Sequence, residues 1–496
     1  MATATLEMLP EVGKFLDKPL QRPWVGGKEA TSSDGATFDT HDPGSGEKLA
    51  TVPHFSEPDV DAAVSAAQRA FEKSGWATLP PNERGALLHR LADEVERRLK
   101  IIAQIESLDA GKIEAQAQGD VANFVATVRY FADLAQYVNR RNTLAVRGHE
   151  AWTMRQPWGP CGFIFPWNFP FLLIGWGIAP ALAAGNTVVI KPAEDTPLSA
   201  VYLGQLAKDV GLPDGVINVV TGFGETTGAA VSRHPGLRRM SFTGSPEVGR
   251  LVAEACGRNL TPVKLELGGK GAAVVFDDVD VADTAAKLVG AITFHTGQVC
   301  CDATRWLVHR RVYNQFVDEC AKRIKQVRVG YQMNESTQMG PVVNEKQRKR
   351  VLNYLEKGVK QGARMIVEGG AADVPGKKGH YVKPALMEGK LDNVAAREEI
   401  FGPVAYLASF ESEDEALAMV NSTDYGLANS VWSSDLGRCG RIAEQMRAGN
   451  SWINAHNVFP HGVPYGGIGK SGLGGGVNSV ETLFDYWRSV SVVRPL

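Results

Sequence analysis

Net charge is nearly absent from this chain of 496 residues, in which 53 basic and 55 acidic side chains leave −2. That excludes a generally basic, nucleic-acid-binding surface, although not a local patch. Long apolar runs are missing too. The longest, around residues 169–184, is broken by Pro170, Gly175, Gly177 and Pro180, so no membrane span is expected. The first eight residues carry no basic stretch, no apolar stretch and no Arg-rich character, and a cytoplasmic location is the expectation. Cysteine is sparse: Cys161, Cys256, Cys300, Cys301, Cys320 and Cys439, with no CxxC pair and no framework spacing. A reducing compartment fits and metal ligation does not. A disulfide between the adjacent Cys300 and Cys301 would be strained. There is no internal repeat and no low-complexity tract. What is present, 44% hydrophobic and 22% charged residues, is ordinary for a soluble globular protein. The length calls for two or three domains.

From residue 59 to about 140 the pattern is helical. Val60, Ala63, Val64, Ala67 and Phe71 recur at helix spacing, as do Leu87, Leu88, Leu91, Val95 and Leu99. Two short alternating stretches then flank Gly148 and read as a hairpin within 142–156. Strands and helices alternate after it: strand 161–165, helix 171–184, strand 187–190, helix 198–210, strands 216–220 and 240–243. That rhythm implies a parallel α/β sheet. A second α/β stretch runs from about 269 to 469, with strands near 272–276, 305–308 and 404–410. Residues 489–493 form a β-prone run with no local partner, which is expected to pair with another chain or domain.

Three segments carry chemistry. Cys300 lies in Phe294-His295-Thr296-Gly297-Gln298-Val299-Cys300-Cys301, Glu266 in Leu265-Glu266-Leu267-Gly268-Gly269-Lys270, and Asn168 in Pro166-Trp167-Asn168-Phe169-Pro170. A thiol, a carboxylate and an amide donor can serve as nucleophile, base and oxyanion partner. Each also has a plainer reading: cysteines pack in cores, Asn168 could be a turn amide, and Glu266 could be a surface strand residue. Two glycine turns follow strands, Gly222-Phe223-Gly224 and Gly244-Ser245-Pro246-Glu247-Val248-Gly249. A helix N-terminus after such a turn is an anion site, but neither is a GxGxxG fingerprint and most such turns are only turns.

Together, in order and spacing, these segments resemble the aldehyde dehydrogenase superfamily, from about Trp24 to the C-terminus. The resemblance implies an α/β fold with a Rossmann-like nucleotide-binding domain (1–141 and 157–268), a catalytic domain (269–469) and an oligomerisation element. That element comprises the 142–156 hairpin and the C-terminal return, 470–496. It implies NAD-dependent oxidation of an aldehyde to a carboxylic acid, with Cys300, two residues after Gln298 and five before Arg305, as nucleophile. Asn168 and the Cys300 N–H would hold the oxyanion, and Glu266 would activate water. For NAD it implies Phe165, Trp167, Lys191, Glu194, Gly224 and Gly244. Ser245, Gly249, Gln347, Glu399 and Phe401 complete that set. Lys191 and Glu194 would take the adenosine ribose, where a carboxylate repels a 2′-phosphate and favours NAD over NADP. Phe169, Trp176, Phe294, Cys301, Asn457, Phe459 and Tyr465 would line the substrate tunnel.

Aromatic walls suit an apolar or cationic aldehyde. Relatives that act on cationic aldehydes carry tunnel acids where Ala122 and Asn457 stand here, which weakens the cationic reading. The family also implies a homodimer or homotetramer. Two rivals stand beside this reading: a coenzyme A-acylating semialdehyde dehydrogenase, opposed by Glu266, and a non-catalytic protein on the same fold. His456 and His461 are unusual for the family pattern and have no evident role in the sequence.

Overall fold

A computed structural model describes residues 6–496. The expectation about the extreme N-terminus therefore falls in part on residues outside those described. The helical region resolves into Glu57–Lys73, Pro81–Arg97, Leu99–Ala110 and Glu114–Tyr137. Ser56 and Asp59 close a capping box at the first of these, and Val60, Ala63, Val64 and Ala67 form its buried face. The antiparallel strands Thr37–His41 and Lys48–Pro53, which the sequence pattern did not announce, precede it.

Two sheets organise the rest. The first has six strands in the order Gly472–Leu473, Val263–Leu267, Arg239–Gly244, Pro160–Ile164, Thr187–Lys191 and Ile217–Val219. All neighbours are parallel except Gly472–Leu473, which runs antiparallel to Val263–Leu267. The chain lays down Pro160–Ile164, adds two strands on one side, then returns to add Arg239–Gly244 on the other. That reversal opens a crevice beyond the carboxyl ends of these two strands, the usual ligand position in an open α/β sheet.

The second sheet has seven strands: Arg364–Val367, Ala385–Glu388, Val404–Phe410, Ala303–His309, Gly271–Val275, Ala428–Trp432 and Asn450–Ile453. Only Arg364–Val367, at one edge, is antiparallel to its neighbour. The central strands of both sheets are buried along nearly their whole length, as in parallel sheets covered on both faces.

The hairpin is Arg141–Val146 with His149–Pro157, turning at Gly148 (φ 74°). The C-terminal strand, Trp487–Pro495, meets the second of the two alternatives expected for 489–493, a partner elsewhere in its own chain. It pairs antiparallel with His149–Pro157 of its own chain, from Trp487↔Pro157 to Pro495↔His149. The partner is distant in sequence but not in another chain, because the hairpin offers a complete unpaired edge of the same length. Arg141–Val146, the other outer strand, is exposed throughout. No helix among the described residues is long and apolar enough to cross a membrane.

Candidate active site

Cys300 precedes the strand Ala303–His309 on a tightly wound approach. His295, Thr296 and Gly297 all adopt positive φ, at 45°, 58° and 68°. For His295 and the β-branched Thr296 this is strained backbone, held only by its surroundings. A Cβ on Gly297 would stand 2.3 Å from the Gly402 carbonyl carbon, so only glycine fits there. Gln298 locks the turn: its Nε2 donates to the His295 carbonyl at 3.1 Å, and its Oε1 accepts from Val343 N at 2.9 Å. The Asn168 amide donates to the Gln298 carbonyl at 2.9 Å. That bond ties the turn after Pro160–Ile164 to the cysteine segment and leaves the second amide proton available. The link from the first sheet to the second passes just beneath, where a Cβ on Gly269 would meet the Cys300 carbonyl oxygen at 2.4 Å.

Glu266 lies near the end of Val263–Leu267 and is 8% exposed, so it is not a surface strand residue. Both carboxylate oxygens are buried without a side-chain or backbone hydrogen-bond partner in good geometry. Burial pushes its carboxyl well above the usual range, and the Cys300 charge adds to this against the opposing pull of Lys264. Lys264 itself donates to the Gly476 carbonyl and pairs with Asp485 at 2.8 Å.

The Cys300 thiol is lowered by a hydrogen bond with Cys301 and another with Tyr465, which together outweigh its burial. Burial pushes Cys301 the other way, well up. The environments of two neighbouring thiols thus separate a reactive one from an inert one.

A cavity of about 1810 Å³ opens beside Cys300, Glu266 and Asn168. Phe165, Trp167, Lys191, Glu194, Gly224, Gly244 and Ser245 line it, as do Gln347, Glu399 and Phe401. Ser245 caps the helix Pro246–Arg258 and accepts from Val248 N at 3.3 Å. Lys191 is buried and donates to Glu194 at 2.9 Å. Burial would raise the Glu194 carboxyl, but Lys191 and the backbone at Gly224 hold it below the ordinary value. Glu399 accepts from Gly269 N at 2.9 Å and is pushed up to about 7 by burial. Phe401, at φ 62°, presents its ring edge to Trp167 at 5.3 Å. Gln347 donates to the Phe401 carbonyl at 2.6 Å. Gly249 stands apart from this lining; it packs against Leu267, where a Cβ would approach to 2.6 Å. The segment 224–228 is a single wide helical turn leading into the short helix Ala229–Arg233.

On the other side of Cys300 lies an apolar cluster built from Phe169, Trp176, Cys301 and Tyr465, with Phe294 and Phe459 packed on it. Trp176, Phe459 and Tyr465 meet edge to face at 5.2–5.5 Å, and Phe169 stacks on Phe294 at 6.2 Å. Asn457, at φ 57°, accepts from the Cys301 thiol at 3.2 Å.

Motif reasoning missed several contacts. The Tyr465 hydroxyl is 3.4 Å from the Cys300 sulfur, and Gln298 fixes the turn before it. Lys264 faces Glu266 electrostatically; its place two residues before Glu266 on one strand face was a signal available in the sequence. His456 now has a place: its Nε2 lies 3.0 Å from both Ala303 N and the Cys301 carbonyl oxygen, pinning the loop that follows the two cysteines. Burial lowers its pKa to about 4, which keeps the ring neutral and able to accept. His461 meets the Thr127 hydroxyl at 3.0 Å, beside Tyr130.

Known proteins resemble this chain in sequence and in fold. The family model described as "Aldehyde dehydrogenase family" matches residues 30–492. An aldehyde dehydrogenase of Emericella nidulans is 41% identical over 443 residues, covering 89% of this chain and 88% of that protein. Retinal dehydrogenase 2 of Homo sapiens is 39% identical over 476 residues, covering 95% and 91%. Among solved structures, the NAD+ complex of aldehyde dehydrogenase from Bacillus cereus superposes with a TM-score of 0.96 at 36% identity, over 99% of this chain and 100% of that one. With a family model spanning nearly the whole chain and relatives of this closeness, the chain belongs to the aldehyde dehydrogenase family.

Proposed function

We propose that this protein oxidises an aldehyde to a carboxylic acid with NAD as hydride acceptor, through a covalent adduct on Cys300. The observation that carries this reading is the position of the Cys300 sulfur. It lines the large cavity and also packs on the aromatic cluster, so one atom faces a nucleotide-sized space and an apolar tunnel.

The cavity residues fit the cofactor. The N-terminus of Pro246–Arg258 and the Gly244–Ser245 turn would take the pyrophosphate. Lys191 and Glu194 would hold the adenosine ribose, and Glu399 the nicotinamide ribose. When bound, NAD supplies the hydride acceptor. The chain's own residues do the rest. The Cys300 thiolate adds to the aldehyde carbon and the carbonyl oxygen becomes an oxyanion. The free Asn168 N–H and the Cys300 backbone N–H stabilise that charge. Loss of hydride leaves a thioester on Cys300. Glu266 then takes a proton from water, whose oxygen attacks the thioester, and the acid leaves as the thiolate returns. Release by water rather than by coenzyme A rests on this buried carboxylate. An absorbance assay for NADH over a panel of aldehydes, with and without coenzyme A, tests the reading. NADH and free acid without coenzyme A are expected; strict dependence on coenzyme A overturns hydrolysis, and no turnover with any aldehyde overturns the activity.

Cofactor choice follows from Glu194. Its carboxylate is held ionised by buried Lys191 and would repel a 2′-phosphate. Glu194→Ser is expected to reduce the ratio of kcat/KM for NAD over NADP by about tenfold, the size of one lost charge contact of ~1.4 kcal/mol. Equal efficiency of the unaltered protein with both cofactors would sink this assignment.

The domain division is proposed as stated for the sequence, with 142–156 and 470–496 forming an assembly surface of a homodimer or homotetramer. The motive is the exposed outer strand Arg141–Val146, carrying Leu144 and Val146, beside exposed Val493 and Leu496. An uncovered apolar edge of that kind invites a second copy. Removing residues 488–496 strips the inner strand of its partner, and monomer or insoluble protein is expected. Light scattering that finds the full chain monomeric at micromolar concentration would refute the assembly.

A further inference from the structure

We propose that Tyr465 is a catalytic residue: its phenol O–H donates to the Cys300 sulfur and holds it as the thiolate that attacks the aldehyde. This rests on Cys300 being the nucleophile, as proposed above.

The Tyr465 oxygen lies 3.4 Å from the Cys300 sulfur, within hydrogen-bond reach for so large an acceptor atom. The direction of the bond follows from chemistry. A thiolate has no proton and can only accept, whereas the phenol keeps its proton because burial and the neighbouring thiols push its ionisation well up. The other nearby donor is Cys301, which also bonds the Cys300 sulfur; its own sulfur lies 3.2 Å from the Asn457 amide oxygen, so its single proton is divided between two acceptors.

Tyr465 is also rigidly held. Its backbone exchanges two hydrogen bonds with Val477, at 2.9 and 2.6 Å. Its ring meets the edges of Trp176 and Phe459 at 5.5 and 5.2 Å, and the residue is 6% exposed. A donor fixed before the reaction begins stabilises the charge without reorganising when it forms. Lining an apolar tunnel needs only the ring, which phenylalanine would supply equally well. The hydroxyl is the part of Tyr465 that the tunnel does not explain, and its contact is with the reacting atom.

The test is Tyr465→Phe in the full-length, NAD-loaded protein, which keeps the ring and its packing. Iodoacetamide alkylation of Cys300 is followed against pH, with the modified residue located by fragmentation of the labelled peptide. Unaltered protein and Cys301→Ala are run alongside. The apparent thiol pKa is expected to rise by about one unit in Tyr465→Phe, which slows alkylation below it by about tenfold. On the acid side kcat/KM for the aldehyde should fall in step, with NAD affinity and thermal midpoint unchanged. An alkylation profile identical to that of the unaltered protein, or a rise confined to Cys301→Ala, overturns the proposal. The underlying reading is checked separately. Alkylation of Cys300 that leaves turnover intact removes the nucleophile assignment and this proposal with it. Alkylation that stops turnover while the Tyr465→Phe profile does not move removes the tyrosine alone.

Discussion

Cys300→Ala is expected to lower dehydrogenase turnover by more than about a thousandfold while NAD binding is retained. In the proposed mechanism the covalent adduct forms on this sulfur, so its loss leaves positioning without chemistry. The residues proposed for the cofactor reach the cavity from other segments: Gly244 at the end of its strand and Ser245 just after it, Lys191 at the end of Thr187–Lys191 and Glu194 just beyond, Glu399 and Phe401 from the loop before Val404–Phe410. None of them depends on the Cys300 side chain. Cys301→Ala is the contrasting variant. Its thiol is buried, is held by Asn457 and resists ionisation, so turnover should largely survive. NADH formation measures the first quantity and calorimetric titration with NAD the second. Activity that persists in Cys300→Ala and vanishes in Cys301→Ala would transfer the role to the neighbour.

The second large effect belongs to Glu266→Gln. Steady-state turnover should drop by about 100- to 10,000-fold, the range of a lost general base, with the rapid first burst of NADH largely preserved. In the proposed mechanism hydride transfer precedes the step that needs a base, so enzyme should accumulate as thioester. Burial holds the Glu266 carboxyl well above the ordinary range, and only the ionised form can take a proton from water. Turnover of the unaltered protein should therefore rise with pH as this group ionises, and that limb should be missing from the glutamine variant. Rapid-mixing absorbance resolves the two phases. An equal fall in burst and steady state would mean that Glu266 also activates the thiol.

Much of this molecule could be read locally. The helix faces of Val60, Ala63, Val64 and Ala67, and of Leu88, Leu91 and Val95, are buried as their spacing demanded. The hairpin around Gly148 appears where alternation and a glycine predicted it. The alternation of strands and helices after it gave a parallel sheet because a crossover must return each strand in the same direction. Two features became visible only in the fold. The run 489–493 lacked a neighbour in sequence and was expected to seek another chain or domain; only the fold showed that the partner is His149–Pro157 of the same chain. The short strands Thr37–His41 and Lys48–Pro53 were too brief and too mixed in burial to show a period.

The sequence by itself supplied the candidate reacting groups and the elements that carry them. Backbone period, glycine turns and the order of Asn168, Glu266 and Cys300 are properties of short stretches, and short stretches are legible one at a time. Tertiary structure alone decided what surrounds those groups. Tyr465 reaches the Cys300 sulfur across 165 residues of chain, and His456 reaches Ala303 N across 153. The burial that lifts the Glu266 carboxyl comes from packing that Val263–Leu267 does not contain within itself. Ionisation depends on desolvation and on donors a few ångströms away in space. Those distances exist only after both sheets have closed on the strained turn before Cys300.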